Sequence, residues 1–207
     1  MKNSAALDAN HFKRLRGALA AYGEARREVI KHSSDVLTRA KQAIFAFHRD
    51  DVREGERLLE EADRILADLA RRFRKVAGLE FEGSYRAALE EYTEARLVES
   101  FLRGKKIGAV QAPGIDEDAY LGGLLDFTGE LVRRAVTVAT RGDYEEVDRC
   151  HRMMTAVMTE IIPMNITGPL RPKFDQAKTN LRKMEDIAYD IAIRSRGRVE
   201  KKGGAIA

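Results

Sequence analysis

Residues 11–50 read HFKRLRGALAAYGEARREVIKHSSDVLTRAKQAIFAFHRD, and in this run Phe12, Leu15, Leu19, Tyr22, Val29, Val36, Leu37, Ala40, Ile44 and Phe47 recur at intervals of three and four. That is the period of one helix face, sustained from just after Asp8 to about Asp50 without a proline. At 1.5 Å per residue such a helix spans about 60 Å, too long for one small core to cover. The same period continues outward. Leu58, Leu59, Ala62, Ile65, Leu66 and Leu69 carry a second helix from about Asp51 to Ala77, stopped by Gly78. A third runs from Ser84 to Arg103 and stops at Gly104. The segment from Lys105 to Ile115, with Gly108, Pro113 and Gly114, is a loop.

Asp116 reads as the N-cap of a fourth helix that ends at Gly142. Asp143 followed by Glu146 resembles a capping box opening a fifth, which stops before Pro163. After the loop NITGPLRP a last helix runs from Arg171 to about Ser195. No stretch alternates as a strand would. The expectation is an all-α single domain of six to seven long, mostly antiparallel helices, ordered over 8–196 with a flexible tail at 197–207.

Composition narrows the function classes. Of 207 residues, 44% are hydrophobic and 34% charged, with four prolines and no tryptophan, as amphipathic helices require. One cysteine, Cys150, rules out an intrachain disulfide or a cysteine-held zinc, and fits a reducing cytoplasm. No apolar run of roughly 18 residues exists and the polar start is unlike a signal peptide, so neither export nor a membrane partner is expected. Phosphate-binding glycine loops are absent. The four histidines, at 11, 32, 48 and 151, are scattered and read as surface residues; only Asp148 with His151 has di-iron spacing.

The net charge of +4 understates local clustering of cations: Lys13, Arg14, Arg16; Arg71, Arg72, Arg74, Lys75; Arg103, Lys105, Lys106; and Arg194, Arg196, Arg198, Lys201, Lys202. Such clusters can meet phosphates or simply be solvated helix faces.

The third helix carries the chemistry. Its stripe Ser84, Ala87, Glu91, Glu94, Val98, Phe101 places two carboxylates in a small and apolar face, three residues apart and therefore neighbours. Like charge repels there, and a hard cation such as Mg2+ would relieve it. The alternative is that both glutamates are surface acids paired with Arg96 or Arg86.

Glu91-Tyr92-Thr93-Glu94-Ala95 resembles the E-Y-x-E-A motif of Trax, in the translin/Trax family. YLGGLLDFTGELVRRAV, from Tyr120 to Val136, is similar to the family's best-known helix, with Gly129-Glu130-Leu131 and Arg133. Gly142-Asp143, then Asn165, Thr167, Gly168 and Pro169, then Lys183, Glu185, Tyr189, Asp190 and Arg194 match further family positions in order. From about Asp8 to Arg196 the chain looks like a Trax-like, catalytic-type member of prokaryotic or archaeal kind.

The resemblance implies a translin-like bundle assembled into a hollow homo-oligomer, tetramer to octamer, that binds RNA. It also implies an endoribonuclease using Mg2+, with Mn2+ as a substitute, single-stranded RNA preferred, and single-stranded DNA or duplex RNA as further ligands. Glu91 and Glu94 carry over as catalytic metal ligands. Counting back from Thr167-Gly168-Pro169 without a gap puts the third acid at Glu145. One turn on, where Trax has a further acid, this chain has Arg149, with Asp148 as a substitute. Glu130 is expected to pair structurally with Arg133 or Arg134, and Arg86 is the RNA-binding candidate. Two other classes remain: a non-catalytic translin-like RNA or single-stranded DNA binder, and a helical scaffold, which accounts for periodicity but not for the ordered motifs.

Overall fold

The computed structural model describes the backbone of residues 7–73 and 78–203, and the side chains of all of these except 73 and 194–203. Among them are six α-helices and no strand: α1 (Ala9–His48), α2 (Val52–Phe73), α3 (Gly83–Leu102), α4 (Glu117–Thr140), α5 (Tyr144–Ile161) and α6 (Arg171–Gly203). Short 3-10 turns at Leu79–Phe81 and Gly168–Leu170 lead into α3 and α6.

The expected punctuation is in place. Asp8 caps α1 by accepting from the Asn10 and His11 amides at 2.9 and 3.1 Å, and Asp116 accepts from the Ala119 amide at 2.9 Å. Gly104 and Gly142 take φ values of 64° and 79° directly after α3 and α4, the left-handed geometry that ends a helix. The box at α5 is only half formed. Asp143 accepts from the Glu146 amide at 3.1 Å, while the Glu146 carboxylate turns to Arg134 and Arg149 instead. The last helix continues to Gly203 rather than ending near Ser195, since Arg, Glu and Lys around the single Gly197 are good helix formers. Residues 204–207 of the expected tail lie outside the described residues, as do Arg74, Lys75 and the expected end of α2 at Ala77.

The core forms where α1 lays Val36, Ala40, Ala43 and Phe47 against Leu59, Ala62 and Leu66 of α2 and Leu89 and Tyr92 of α3, all 0 or 1% exposed. Short connections make neighbouring helices antiparallel: Phe47 packs beside Gly55 and Arg39 pairs with Glu61 across the α1–α2 turn. The long loop between α3 and α4 has the opposite effect. It travels back along α3, with the Tyr85 hydroxyl donating to the Pro113 carbonyl at 3.1 Å and Tyr120 to that of Gly108 at 2.9 Å. Helix α4 then starts beside the start of α3, where Arg86 meets Asp116, and runs parallel to it until Phe101 and Phe127 meet edge to face, centroids 6.2 Å apart.

Two glycines let these parallel helices approach closely. A methyl group on Gly123 would lie 2.6 Å from the Glu90 carbonyl oxygen and 2.7 Å from Thr93 Cβ, and one on Gly122 would lie 2.8 Å from the Glu90 carboxyl carbon. Backbone cannot yield as a flexible side chain does. Gly123→Ala should therefore lower the melting temperature by roughly 3 to 10 °C. Gly17→Ala, on an exposed helix face with nothing within 4 Å, should hold it or raise it slightly. Equal melting of the two variants, followed by circular dichroism, would contradict the close approach.

Candidate functional site

Glu91 and Glu94 sit in the middle of α3, where Thr93 is fully buried and Glu94 only 7% exposed. Their neighbours are not the arginines of the surface alternative. Arg96 holds Asp63, the Tyr92 hydroxyl at 2.7 Å and Glu99 at 2.7 Å, and Arg86 forks onto Asp116 and reaches Asp118 at 3.9 Å. Across the α3–α4 contact, one and two turns past the glycines, stand Asp126 and Glu130. Spaced i, i+4, they occupy one face of α4. Their charges act on the glutamates of α3. The Glu94 carboxyl is pushed up to about 9 by its burial and by Glu91, Glu130 and Asp126, with Lys173 opposing. Burial also raises that of Glu91, with Asp126 and Glu130 adding to it and Lys41 and Lys173 opposing.

Cations ring these acids. From the first turn of α6, Lys173 donates to Glu90 at 2.7 Å and to Asp126. Lys41 of α1 lies 3.7 Å from Glu91. Glu130 is hydrogen-bonded to His48 and lies 3.5 Å from Arg133. The expected Arg133 pairing is thus present, whereas Arg134 pairs with Asp50 and Glu146. His48 corrects the surface reading of the histidines: it is 9% exposed, drawn inward by Glu130 and by the packing of α1. Among the described residues no cation lies within ion-pair distance of Glu94, and no three acid, histidine or cysteine side chains stand close enough to ligate one ion.

The other site expectations fall elsewhere. The structure does not bring Glu145 to the pair. It is exposed on the first turn of α5, the position that complements the helix dipole, and the acids of another helix whose charges act on Glu91 and Glu94 are Asp126 and Glu130. Its neighbour Glu146 is the inward acid of that turn, and Arg149 locks it at 2.6 Å while donating to the Phe101 carbonyl at 2.9 Å. Asp148 is exposed and paired with Arg152. Of the cation clusters, Arg71 and Arg72 bind Asp68, and Arg103 binds Glu56.

Sequence reading did not single out Asp126, and for Glu130 it expected the Arg133 pairing that the structure shows. The available signal was Asp126-x-x-x-Glu130 within DFTGE, two acids on one face of a helix that carries no other charge between Tyr120 and Val132.

The Translin family model matches residues 24–195, spanning both acid pairs. The chain belongs to the Translin family. Within the family it is Trax-like: translin-associated protein X of Rattus norvegicus is 24% identical across 88% of this chain and 78% of its own length. The Schizosaccharomyces pombe homologue of that protein is 23% identical across 82% and 81%. Translin of Gallus gallus is 33% identical over a shorter stretch, 44% of this chain and 40% of its own length. The family fold is confirmed by solved structures. AfC3PO superposes with a TM-score of 0.81 at 22% identity, covering 89% of this chain and 98% of its own. A complex of AfC3PO with duplex RNA gives 0.82 at 21%, covering 89% and 97%. No helix among the described residues is long and apolar enough to cross a membrane.

The raised carboxyl of Glu94 sets a pH dependence on this Translin-family fold. Below its ordinary value of 4.5 the group is protonated in both folded and unfolded chains. As pH climbs from there toward about 9, the unfolded chain releases the proton and the folded one retains it, so stability drains away across that window. With chelator present, Glu94→Gln should melt roughly 3 to 10 °C above the parent at pH 8, with the gap closing toward pH 5. A parent protein that melts higher than the variant at pH 8 would mean that Glu94 has a compensating cation.

Proposed function

We propose that this protein is a metal-dependent endoribonuclease that acts on RNA, single strands preferentially, as a homo-oligomer in the cytoplasm. The observation that carries the reading is Glu94, a carboxylate buried among the like charges of Glu91, Asp126 and Glu130. A fold does not keep such a group for stability, because desolvation and repulsion both oppose its ionised form.

The donor set is all oxygen and carries excess negative charge, which fits a hard divalent cation such as magnesium or manganese. Glu91 and Glu94 would hold it, as magnesium takes one or two carboxylates and keeps several waters, with Asp126 and Glu130 adding negative charge from α4. Bound there, it would lower the pKa of a water and offset charge building on the scissile phosphate. The chain's own residues do the rest. Lys173 and Lys41 neutralise the acids from the flanks and are placed to pass to phosphate oxygens when RNA arrives, and His48 fixes the Glu130 carboxylate in orientation. Glu145 remains the third ligand that the family resemblance implies, and mutation separates the two assignments.

RNA as the ligand class is supported by the Translin-family membership and by AfC3PO having been solved with duplex RNA. Preference for single strands rests on access, since side chains reach unstacked strands more readily than a deep A-form groove. Assembly is supported by apolar side chains left uncovered: Leu15 and Leu19 on α1 and Tyr189 and Ile193 on α6 are all more than half exposed. A non-catalytic RNA binder is the competing reading, and it gives the acid cluster no task.

Labelled single-stranded RNA incubated with magnesium or with chelator tests this. Glu94→Gln and Asp126→Asn should each lower cleavage by about 100-fold or more, while binding in chelator changes less than about threefold. Glu145→Gln should cleave nearly as the parent does. Loss of cleavage in Glu145→Gln with full activity in Asp126→Asn would return the third ligand to α5, and undiminished cleavage by Glu94→Gln would place the chemistry elsewhere. Light scattering should give a particle of at least four chains; a monomer at micromolar concentration contradicts the assembly.

A further inference from the structure

Phe45 is 51% exposed although its neighbours Ile44 and Phe47 are buried in the core. It faces outward from α1 between two cations. The Arg49 guanidinium lies 4.7 Å from its ring centroid and that of Arg133, on α4, 5.7 Å from it. Phe45 also lines an open groove of about 680 Å³ with Arg39, Lys41, Gln42, Arg49 and Arg57. In that groove Arg39 and Arg57 are held by Glu61 and Glu54, whereas Arg49 rests on the ring.

The ring is tied to the acid cluster on both sides. One turn before it on α1 is Lys41, 3.7 Å from Glu91. Three residues after it is His48, bonded to Glu130, and the Arg133 that covers the ring is itself 3.5 Å from Glu130. An aromatic face and guanidinium planes at the lip of an acid site form a surface on which an unpaired base can stack, with a displaced arginine able to take the adjoining phosphate.

Resting on the ribonuclease reading above, we infer that Phe45, flanked by Lys41, Arg49 and Arg133, is a stacking platform for an unpaired nucleobase of the RNA strand next to the one entering the acid site. Stacking on a π face discriminates little among bases but strongly against a base locked in a duplex, so the platform gives the strand preference a structural source.

The chain contains no tryptophan, so Phe45→Trp in the full-length protein installs a single reporter at the platform. Titration in chelator with 12-nucleotide oligouridylate or oligoadenylate should quench its emission. A ribose-phosphate strand of the same length lacking bases should not. Phe45→Ala should weaken binding of both oligonucleotides by about 5- to 100-fold, and Phe45→Trp should restore it. Emission unchanged at saturating RNA, or equal quenching by the abasic strand, overturns the platform. So does Phe45→Ala that binds as the parent does but dissociates in light scattering, which would assign the ring to a subunit contact. Because the titration needs no catalysis, quenching without metal-dependent cleavage keeps the platform and removes the nuclease, whereas a parent that binds no RNA removes both.

Discussion

The parallel contact between α3 and α4 at Gly122 and Gly123 is the constraint on which the rest depends. With no side chain on α4 at those positions, the helix backbone comes within touching distance of the Glu90 carbonyl and Thr93. On α4, Asp126 and Glu130 follow one and two turns later, and on α3 Glu91 and Glu94 come directly after the contacting Glu90 and Thr93, so the four acids flank one seam. Antiparallel helices crossing at the same glycines would have matched the acids of α3 with the start of α4 instead. The returning loop, pinned by Tyr85 and Tyr120, is thus as much a part of the site as the acids.

Electrostatic frustration and its partial relief explain the surroundings. Four carboxylates on two helices repel, and the fold answers by placing a cation on three of them: Lys41 toward Glu91, Lys173 toward Asp126, and Arg133 toward Glu130, which is also hydrogen-bonded to His48. Glu94, the most buried, receives none among the described residues. Its carboxyl accordingly holds its proton well above the usual carboxylate range. A site arranged in this way is poised for a ligand that brings positive charge, and the same cations provide for a ligand that brings negative charge.

Much of this was legible in the sequence. The helix ends were written in Asp8, Gly104, Asp116 and Gly142, and the α3 pair stood out because two acids interrupt an apolar stripe. What was not legible was orientation. Period and capping fix where helices begin and end, but the direction of α4 relative to α3 is set by how the loop from Lys105 to Ile115 packs, which no local pattern encodes. Without that direction, counting along family motifs offered Glu145, and Asp126 went unremarked, although the pairing of Glu130 with Arg133 was foreseen and is present. The inward turn of His48 was hidden for the same reason, since a lone histidine in a helix carries no sign of the carboxylate it meets 82 residues later.

The central claim is the proposal that Glu91 and Glu94 bind one divalent cation in the negative field of Asp126 and Glu130. Anomalous diffraction from crystals grown with manganese tests it most directly. The account predicts a single strong peak per chain, bounded by Glu91, Glu94, Asp126 and Glu130, with Lys173 displaced from Asp126. A peak beside Glu145 on α5, or none between the two helices at saturating manganese, would contradict it.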